Sequence, residues 1–325
     1  MTDIFSLLGA NLLSPVILCF VLGLAAALAR SDLSVPEAVA KGLSLYLLFA
    51  IGFKGGAAVA SHGAEPRLFA ALAAGVVLSL LLPVAAFALL RVLSRLGPVD
   101  AAAVAAHYGS ISIVTFVTAS AAAVAQGMEP EGYMVAVAAA MEAPAIVTAL
   151  WLAARSGRKG RMDGDLWREI LLNGSIVLLL GAFSIGVLTG AEGLAKIESF
   201  IVSPFQGVLC LFLLDMGLVA GRGWRTARSV LSPGLLAFGV VMPVVGAAAG
   251  LAAGLALGLS PGGVALMMTL CASASYIAVP AAMRVALPEA NPSVALTLSL
   301  GITFPFNLVL GIPVYLTLAP LLAGG

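Results

Sequence analysis

Charge is what this chain has least of. Lys and Arg number 16 and Asp and Glu 15 among 325 residues, so 10% of the chain is charged where a soluble domain carries about 25%. With 62% of its residues hydrophobic, the chain cannot hide its apolar surface inside a water-soluble fold, and that class is excluded. Cysteine is nearly absent too. Cys19, Cys210 and Cys271 lie far apart inside apolar stretches, which excludes a disulfide framework or a metal cluster and suits small packing residues. The formal net charge of +1 gives no basic excess, and no nucleic-acid partner is expected.

Long apolar runs are what the chain has instead. A membrane-spanning helix needs roughly 20 predominantly apolar residues, and ten such segments are legible at 4–29, 36–60, 66–95, 99–126, 131–154, 166–190, 198–220, 229–258, 261–287 and 292–321. Met1-Thr2-Asp3 offers no basic region ahead of the first run, which is therefore read as a span rather than a removable leader. The joint from Arg155 through Arg158, Lys159 and Arg161 to Arg168 is the most basic stretch, and the positive-inside rule assigns it to the cytoplasm. Ten spans then leave both termini outside. On that reading Arg30, Lys41, Arg91, Arg95, Arg222, Arg225, Arg228 and Arg284 also fall inside and only Arg67 and Lys196 outside, thirteen cations against two. A multi-pass protein of a bacterial inner membrane is expected.

The basic joint divides the spans five and five. An odd number per half makes the second half enter the membrane from the opposite side, the inverted repeat common in secondary transporters. The domains read from this are a first repeat at 1–154, a linker at 155–165 and a second repeat at 166–325. Local similarity supports them at a constant offset of 163: Gly97-Pro98 falls on Ser260-Pro261, Ser110 and Ser112 fall on Ser273 and Ser275, and Leu47-Leu48-Phe49 falls on Cys210-Leu211-Phe212. A slip of two residues aligns Pro144 with Pro305.

The paired serines carry the chemistry. Residues two apart do not share a face of a regular helix, so Ser110 with Ser112, and Ser273 with Ser275, line one cavity only where the backbone is extended. Gly109 and Pro280 favour such breaks in segments 4 and 9. Twelve residues of helix rise roughly 18 Å, which sets both pairs near the bilayer midplane. A broken helix presents backbone N–H groups and partial positive charge to an anion, and its freed carbonyls suit a small hard cation such as Na⁺. The alternative is that Ser and Gly serve only close helix packing.

Four stretches then resemble a known family: LSLYLLFAIGFKGG at 43–56, AHYGSISIVTF at 106–116, FLLDMGLVAG at 212–221 and CASASYIAVP at 271–280. They are similar to the sodium-dependent bicarbonate transporters of the SbtA type, over essentially the whole chain. The resemblance implies an all-α, elevator-type fold related to bile-acid symporters and sodium/proton antiporters. Segments 3–5 and 8–10 would form the moving core, and segments 1, 2, 6 and 7 the scaffold. It further implies a homotrimer and a cytoplasmic PII-like regulatory partner. By resemblance, bicarbonate is held at Gly109, Ser110, Ser112, Ser273, Ala274 and Ser275. No cofactor is expected beyond Na⁺ as coupling ion.

Charged and polar groups inside spans default to function. Glu142, two residues before Pro144, is the candidate carboxylate near sodium, with a structural hydrogen bond to the broken helices as its alternative. Tyr108, Thr115 and Asn307 complete the sodium candidates. Asp100 and Asp215 sit toward the cytoplasmic side, where pairing with the linker arginines would explain them. Lys54, near the outer end of segment 2, either snorkels to the interface or attracts anions at an entrance. His107 is a proton sensor or a packed histidine. An intramembrane serine protease would use Ser110 with a histidine from another span, but His62 falls in an outer loop, so no enzyme is expected. A sodium/proton antiporter using Glu142, or a symporter of another small anion, is the remaining alternative.

Overall fold

The computed structural model describes residues 15–62, 66–155, 172, 174–227, 231–276 and 278–323. Everything regular within them is helical, and no strand occurs among the described residues. In chain order the helices are α1 (Pro15–Leu28), α2 (Glu37–His62), α3 (Pro66–Leu93), α4 (Pro98–Gly109), α5 (Ile113–Ala125), α6 (Met134–Ala140) and α7 (Pro144–Arg155). They continue with α8 (Gly174–Ile201), α9 (Phe205–Ala227), α10 (Pro233–Ala256), α11 (Pro261–Ala272), α12 (Ala278–Ala286) and α13 (Pro292–Leu298). Two π-helical turns, Ser299–Thr303 and Asn307–Gly311, flank Phe304–Phe306 before α14 (Ile312–Ala323).

Among the described residues, eight helices or helical runs are long and apolar enough to cross a membrane. Ten segments were expected from the sequence. The two that fall short are α1, whose upstream residues 4–14 lie outside the described residues, and α11, which stops at a break. Lipid contact suits the large apolar side chains left bare on the outside, such as Leu188, Val92 and Phe69.

Glycines decide which helices touch. Water gives helices in a bilayer no hydrophobic reason to associate, so close approach must come from small residues. A Cβ on Gly23 would overlap Leu214 O, one on Gly217 would overlap Phe20 O, and Gly221 faces Ala27; α1 and α9 therefore run parallel with their backbones in contact. In the same way Gly52 meets Leu179 and Ala182, Gly56 meets Phe183 and Gly186 meets Phe53, which sets α2 parallel to α8. Against these pairs stands a second group, where Gly246, Gly250 and Gly254 of α10 pack in turn on Cys271, Met267 and Val264 of α11, an antiparallel crossing. Cys19, Cys210 and Cys271 are all free thiols.

The structure corrects the sequence reading at several joints. Residues 191–197, read as a loop, are helical: α8 kinks at Gly190 (φ 59) and runs on to Ile201. Its last turns are amphipathic, with Leu194, Ile197 and Ile201 turned to the core while Glu192 and Lys196 form an exposed ion pair at 3.0 Å. The charges that suggested a loop mark a solvated helix face. Segment 5 is not one helix either. Pro144 lacks an N–H and its ring disfavours helical backbone before it, so the chain turns at 141–143; Ser79 of α3 bridges the gap, donating to Met141 O (2.6 Å) and accepting from Ala145 N (3.1 Å). Segment 10 absorbs Pro305 in its two π-helical turns. His62 ends α2 rather than lying in a loop. Arg158, Lys159, Arg161, Arg168 and Arg228 lie outside the described residues.

Candidate functional site

Two helix breaks meet at the centre of the second group. α4 ends at Gly109, and Ser110 is extended (φ −84°, ψ 164°) with its N–H returned to Ala106 O. Ser112 is extended again (φ −98°, ψ 108°) and caps α5, accepting from Thr115 N at 3.2 Å and from Thr115 Oγ1 at 2.9 Å. Across from it α11 ends at Ala272, and Ser273 has the backbone of Ser110 (φ −82°, ψ 162°). Gly109 has to be glycine for a local reason: a Cβ there would overlap the ring of Pro83 and press on Ala145. The break thus sits where α3 and α7 converge.

The breaks are bonded to each other. Ser112 N donates to Ser273 Oγ at 2.9 Å, and Ser273 Oγ donates in turn to Leu270 O. Ser275 N donates to His107 O at 2.7 Å, while His107 Nδ1 lies 2.6 Å from Ser275 O. A carbonyl only accepts, so Nδ1 carries the proton of that pair. His107 therefore grips the Ser275 peptide from both sides, and it is the packed histidine of the two readings. Ser110 Oγ donates to Glu142 Oε2 at 2.8 Å. Ser110, Ser112, Ser273, Ala274 and Ser275 are all at most 3% exposed, as is Glu142 at 2%. Among the described residues no basic side chain pairs with Glu142. Ser275 Oγ is the least committed of the hydroxyls, receiving one long bond (3.5 Å) from Val279 N.

A family model of the Na⁺-dependent bicarbonate transporter superfamily matches residues 15–320. The chain belongs to that superfamily. It is a membrane transporter of a family named for bicarbonate and sodium, and the serine breaks lie well inside the matched region. A comparison with curated proteins gave no match.

In this member of the superfamily the sodium candidates bond different partners. Glu142 and Thr115 each bond a serine of the first break. Tyr108 turns away: its hydroxyl lies 2.7 Å from Thr303 Oγ1, and since Thr303 donates to Gly239 O, Tyr108 is the donor. Asn307 donates to Ala272 O at 2.8 Å and accepts from Tyr315 OH at 3.0 Å, so it holds the end of α11. No cluster of three or more His, Cys, Asp or Glu suited to a metal occurs among the described residues. Ser79, Thr303 and Tyr315 were not singled out in the sequence; a serine in the middle of the apolar run 66–95 was the available signal for the first. Asp100 accepts from Asn291 N at 2.8 Å, and the linker's Arg158, Arg161 and Arg168, its expected partners, lie outside the described residues. Asp215, 6% exposed, feels the charge of Arg222 on its own helix.

The protease geometry is not formed, because His107 bonds Ser275 O while Ser110 bonds Glu142. An apolar cavity of about 600 Å³ lies between α1, α5, α9 and the C-terminal run; no serine of the breaks lines it.

Proposed function

We propose that the chain is a sodium-dependent symporter that imports HCO₃⁻ across a bacterial inner membrane by an elevator-type alternating-access mechanism. The observation that carries this reading is the crossing of two extended breaks with a buried carboxylate, uncompensated among the described residues, bonded to one of their serines. Burying a lone carboxylate is costly, and a bound Na⁺ at Glu142 offsets that cost. The first-turn N–H groups of α5 and the hydroxyls of Ser112 and Ser275 offer donors to an anion, while the protons of Ser110 and Ser273 are engaged by Glu142 and Leu270 O and become donors to the anion only on exchanging those partners. Cation and anion side by side in a low dielectric attract each other strongly, which is a physical basis for coupling. Thr115 and Tyr108 stiffen the frame, and Asn307 acts through the end of α11 more than on the ion.

The inverted repeat has geometric support. α4 and α11 are both 12 residues long, both open on proline and both end on a serine of nearly identical backbone angles. The parallel pairs α1/α9 and α2/α8 are those that exchanging 1–154 with 166–325 would interchange. On this reading α1, α2, α8 and α9 are the scaffold, and α3–α7 with α10–α14 are the moving core. The basic joint at 155–165 then faces the cytoplasm and both termini face outward. Trimeric assembly and a PII-like regulator docking on the cytoplasmic face follow from the family resemblance alone; co-purification with such a protein, with and without adenine nucleotides, tests the latter.

Initial-rate uptake of labelled bicarbonate into proteoliposomes, in matched NaCl and KCl, tests the function. Uptake that needs external Na⁺ and is not supported by K⁺ is expected. Equal rates in the two salts would overturn the symporter, and Na⁺ flux linked to acidification without bicarbonate uptake would favour the antiporter, in which Glu142 exchanges a proton.

A further inference from the structure

A second cavity, of about 340 Å³, lies between the two groups of helices rather than inside either. One wall is α2 and the start of α9, the other is α5, the turn after it and the start of α6. Its lining is mostly apolar but holds one cation, Lys54. Lys54 is half-buried, its Nζ stands 5.2 Å from the Phe205 ring centroid, and among the described residues it pairs with no carboxylate. The cavity also carries two acids. Glu131 is committed to the N-terminus of α11, where it accepts from Ser260 N (2.7 Å) and from Ser260 Oγ (3.1 Å). Glu129 is exposed at the rim. At the inner end stands Phe116, one helical turn past Ser112, whose carbonyl accepts from Phe116 N.

Glu131 spends its charge on the N-terminus of α11 and Glu129 is exposed to solvent at the rim, so along the wall of α2 the lysine, held half out of water beside an aromatic face, attracts an anion and repels a cation. The cavity leads from an exposed rim to the turn next to the serine break. We infer that Lys54 and this cavity form an antechamber that gathers small oxyanions such as bicarbonate before they reach the serines, with Phe116 as the partition. The inference deepens the transport reading and rests on it. Lys54 is a recruiting residue: it acts on the anion's arrival and leaves the serine site itself intact.

The test reads the field in the cavity directly. In a protein whose three cysteines are replaced by alanine, Ser120→Cys puts a thiol on the cavity wall. Its rate of modification by an anionic methanethiosulfonate is compared with that by a cationic one, with Lys54 present and with Lys54→Gln. Electrostatic focusing of this kind changes rates by about tenfold or more and is weakened by salt. Lys54→Gln is expected to slow the anionic reagent about tenfold relative to the cationic one, with the difference shrinking at high salt. An unchanged ratio overturns the inference. Transport on the native background is the second arm: Lys54→Gln should raise the apparent KM for bicarbonate with kcat and Na⁺ dependence retained, and Lys54→Arg should restore it. A wild-type KM in Lys54→Gln overturns the antechamber, whereas wild-type protein without sodium-dependent bicarbonate uptake would overturn the symporter reading and leave the labelling result standing.

Discussion

At the scale of single residues, Glu142 and Ser273 do different work within the same crossing. Ser273 Oγ takes the N–H of Ser112 and gives its own proton to Leu270 O. Ser273→Ala leaves the buried Ser112 N–H without its partner, at about 1–3 kcal/mol for an unmet buried group, while Leu270 O keeps its bond from Ser273 N. Glu142 supplies charge, and Glu142→Gln keeps the shape while removing it. The two variants should therefore separate: Ser273→Ala should still require Na⁺ but show an apparent KM for bicarbonate raised several-fold, whereas Glu142→Gln should lose the Na⁺ stimulation. Uptake measured as a matrix of Na⁺ and bicarbonate concentrations distinguishes them, and unchanged Na⁺ stimulation in Glu142→Gln would remove that carboxylate from the cation site. The serines were legible because each pair recurs at a matching position and because i, i+2 spacing is useless to a regular helix. Ser79, Thr303 and Tyr315 were not, since their partners are carbonyls and side chains brought close only by the fold.

At the scale of elements, proline and glycine divide the labour. Prolines open α3, α4, α7, α10, α11 and α13, where a missing N–H does no harm. Inside runs they bring the deformations at 141–143 and around Pro305. Those two were hidden in the sequence because an apolar run reads the same whether the backbone is continuous or stitched by a serine 62 residues away. Likewise the amphipathic end of α8 was mistaken for a loop because Glu192 and Lys196 face outward on a helix whose inner stripe is only three residues. Glycine sets the distance between helices. Replacing Gly56 or Gly217 with Leu would drive a side chain into Phe183 O or Phe20 O, and both neighbours are backbone that cannot swing aside. Overpacking in such a place costs about 1–3 kcal/mol. Either variant should lower the midpoint of thermal unfolding in detergent by several degrees, while Gly207→Leu, with nothing near its would-be Cβ, should leave it unchanged. Equal midpoints for all three would mean that the parallel pairs are not held by their glycines.

At the scale of the whole molecule the question is how much charge crosses in one cycle. Moving one negative charge into a cell held at −100 mV costs about 2.3 kcal/mol, so bicarbonate cannot accumulate unaided. Among the described residues the crossing holds one buried carboxylate without a protein cation, and on the proposed symporter reading that carboxylate would call for one Na⁺. On the proposed elevator reading Glu142 would travel with the moving core on both the loaded and the empty stroke, so its own charge would cancel over the cycle. What remains is one Na⁺ against one bicarbonate, a net transfer of nothing. Sodium-driven uptake should then be insensitive to membrane potential while staying steeply dependent on the Na⁺ gradient. Proteoliposomes clamped with K⁺ and valinomycin at zero and at inside-negative potential give the comparison, with protein-free vesicles subtracting CO₂ leakage. Rates equal within about twofold fit one cation per anion, since a net unit charge coupled to 100 mV would bias the driving force by roughly 2.3 kcal/mol, close to fiftyfold at equilibrium. Clear stimulation by the inside-negative potential would require a second Na⁺, and the search for its ligands would start with Asn307, Thr303 and the π-helical turns around Pro305, where backbone carbonyls are released from regular helix bonding. By linkage, whatever factor Na⁺ contributes to bicarbonate affinity must be returned by bicarbonate to Na⁺ affinity. Equilibrium binding of each ion in the presence and absence of the other therefore checks the same site without any membrane potential at all, and a factor of one in both directions would mean that the two ions do not meet at the crossing of the breaks.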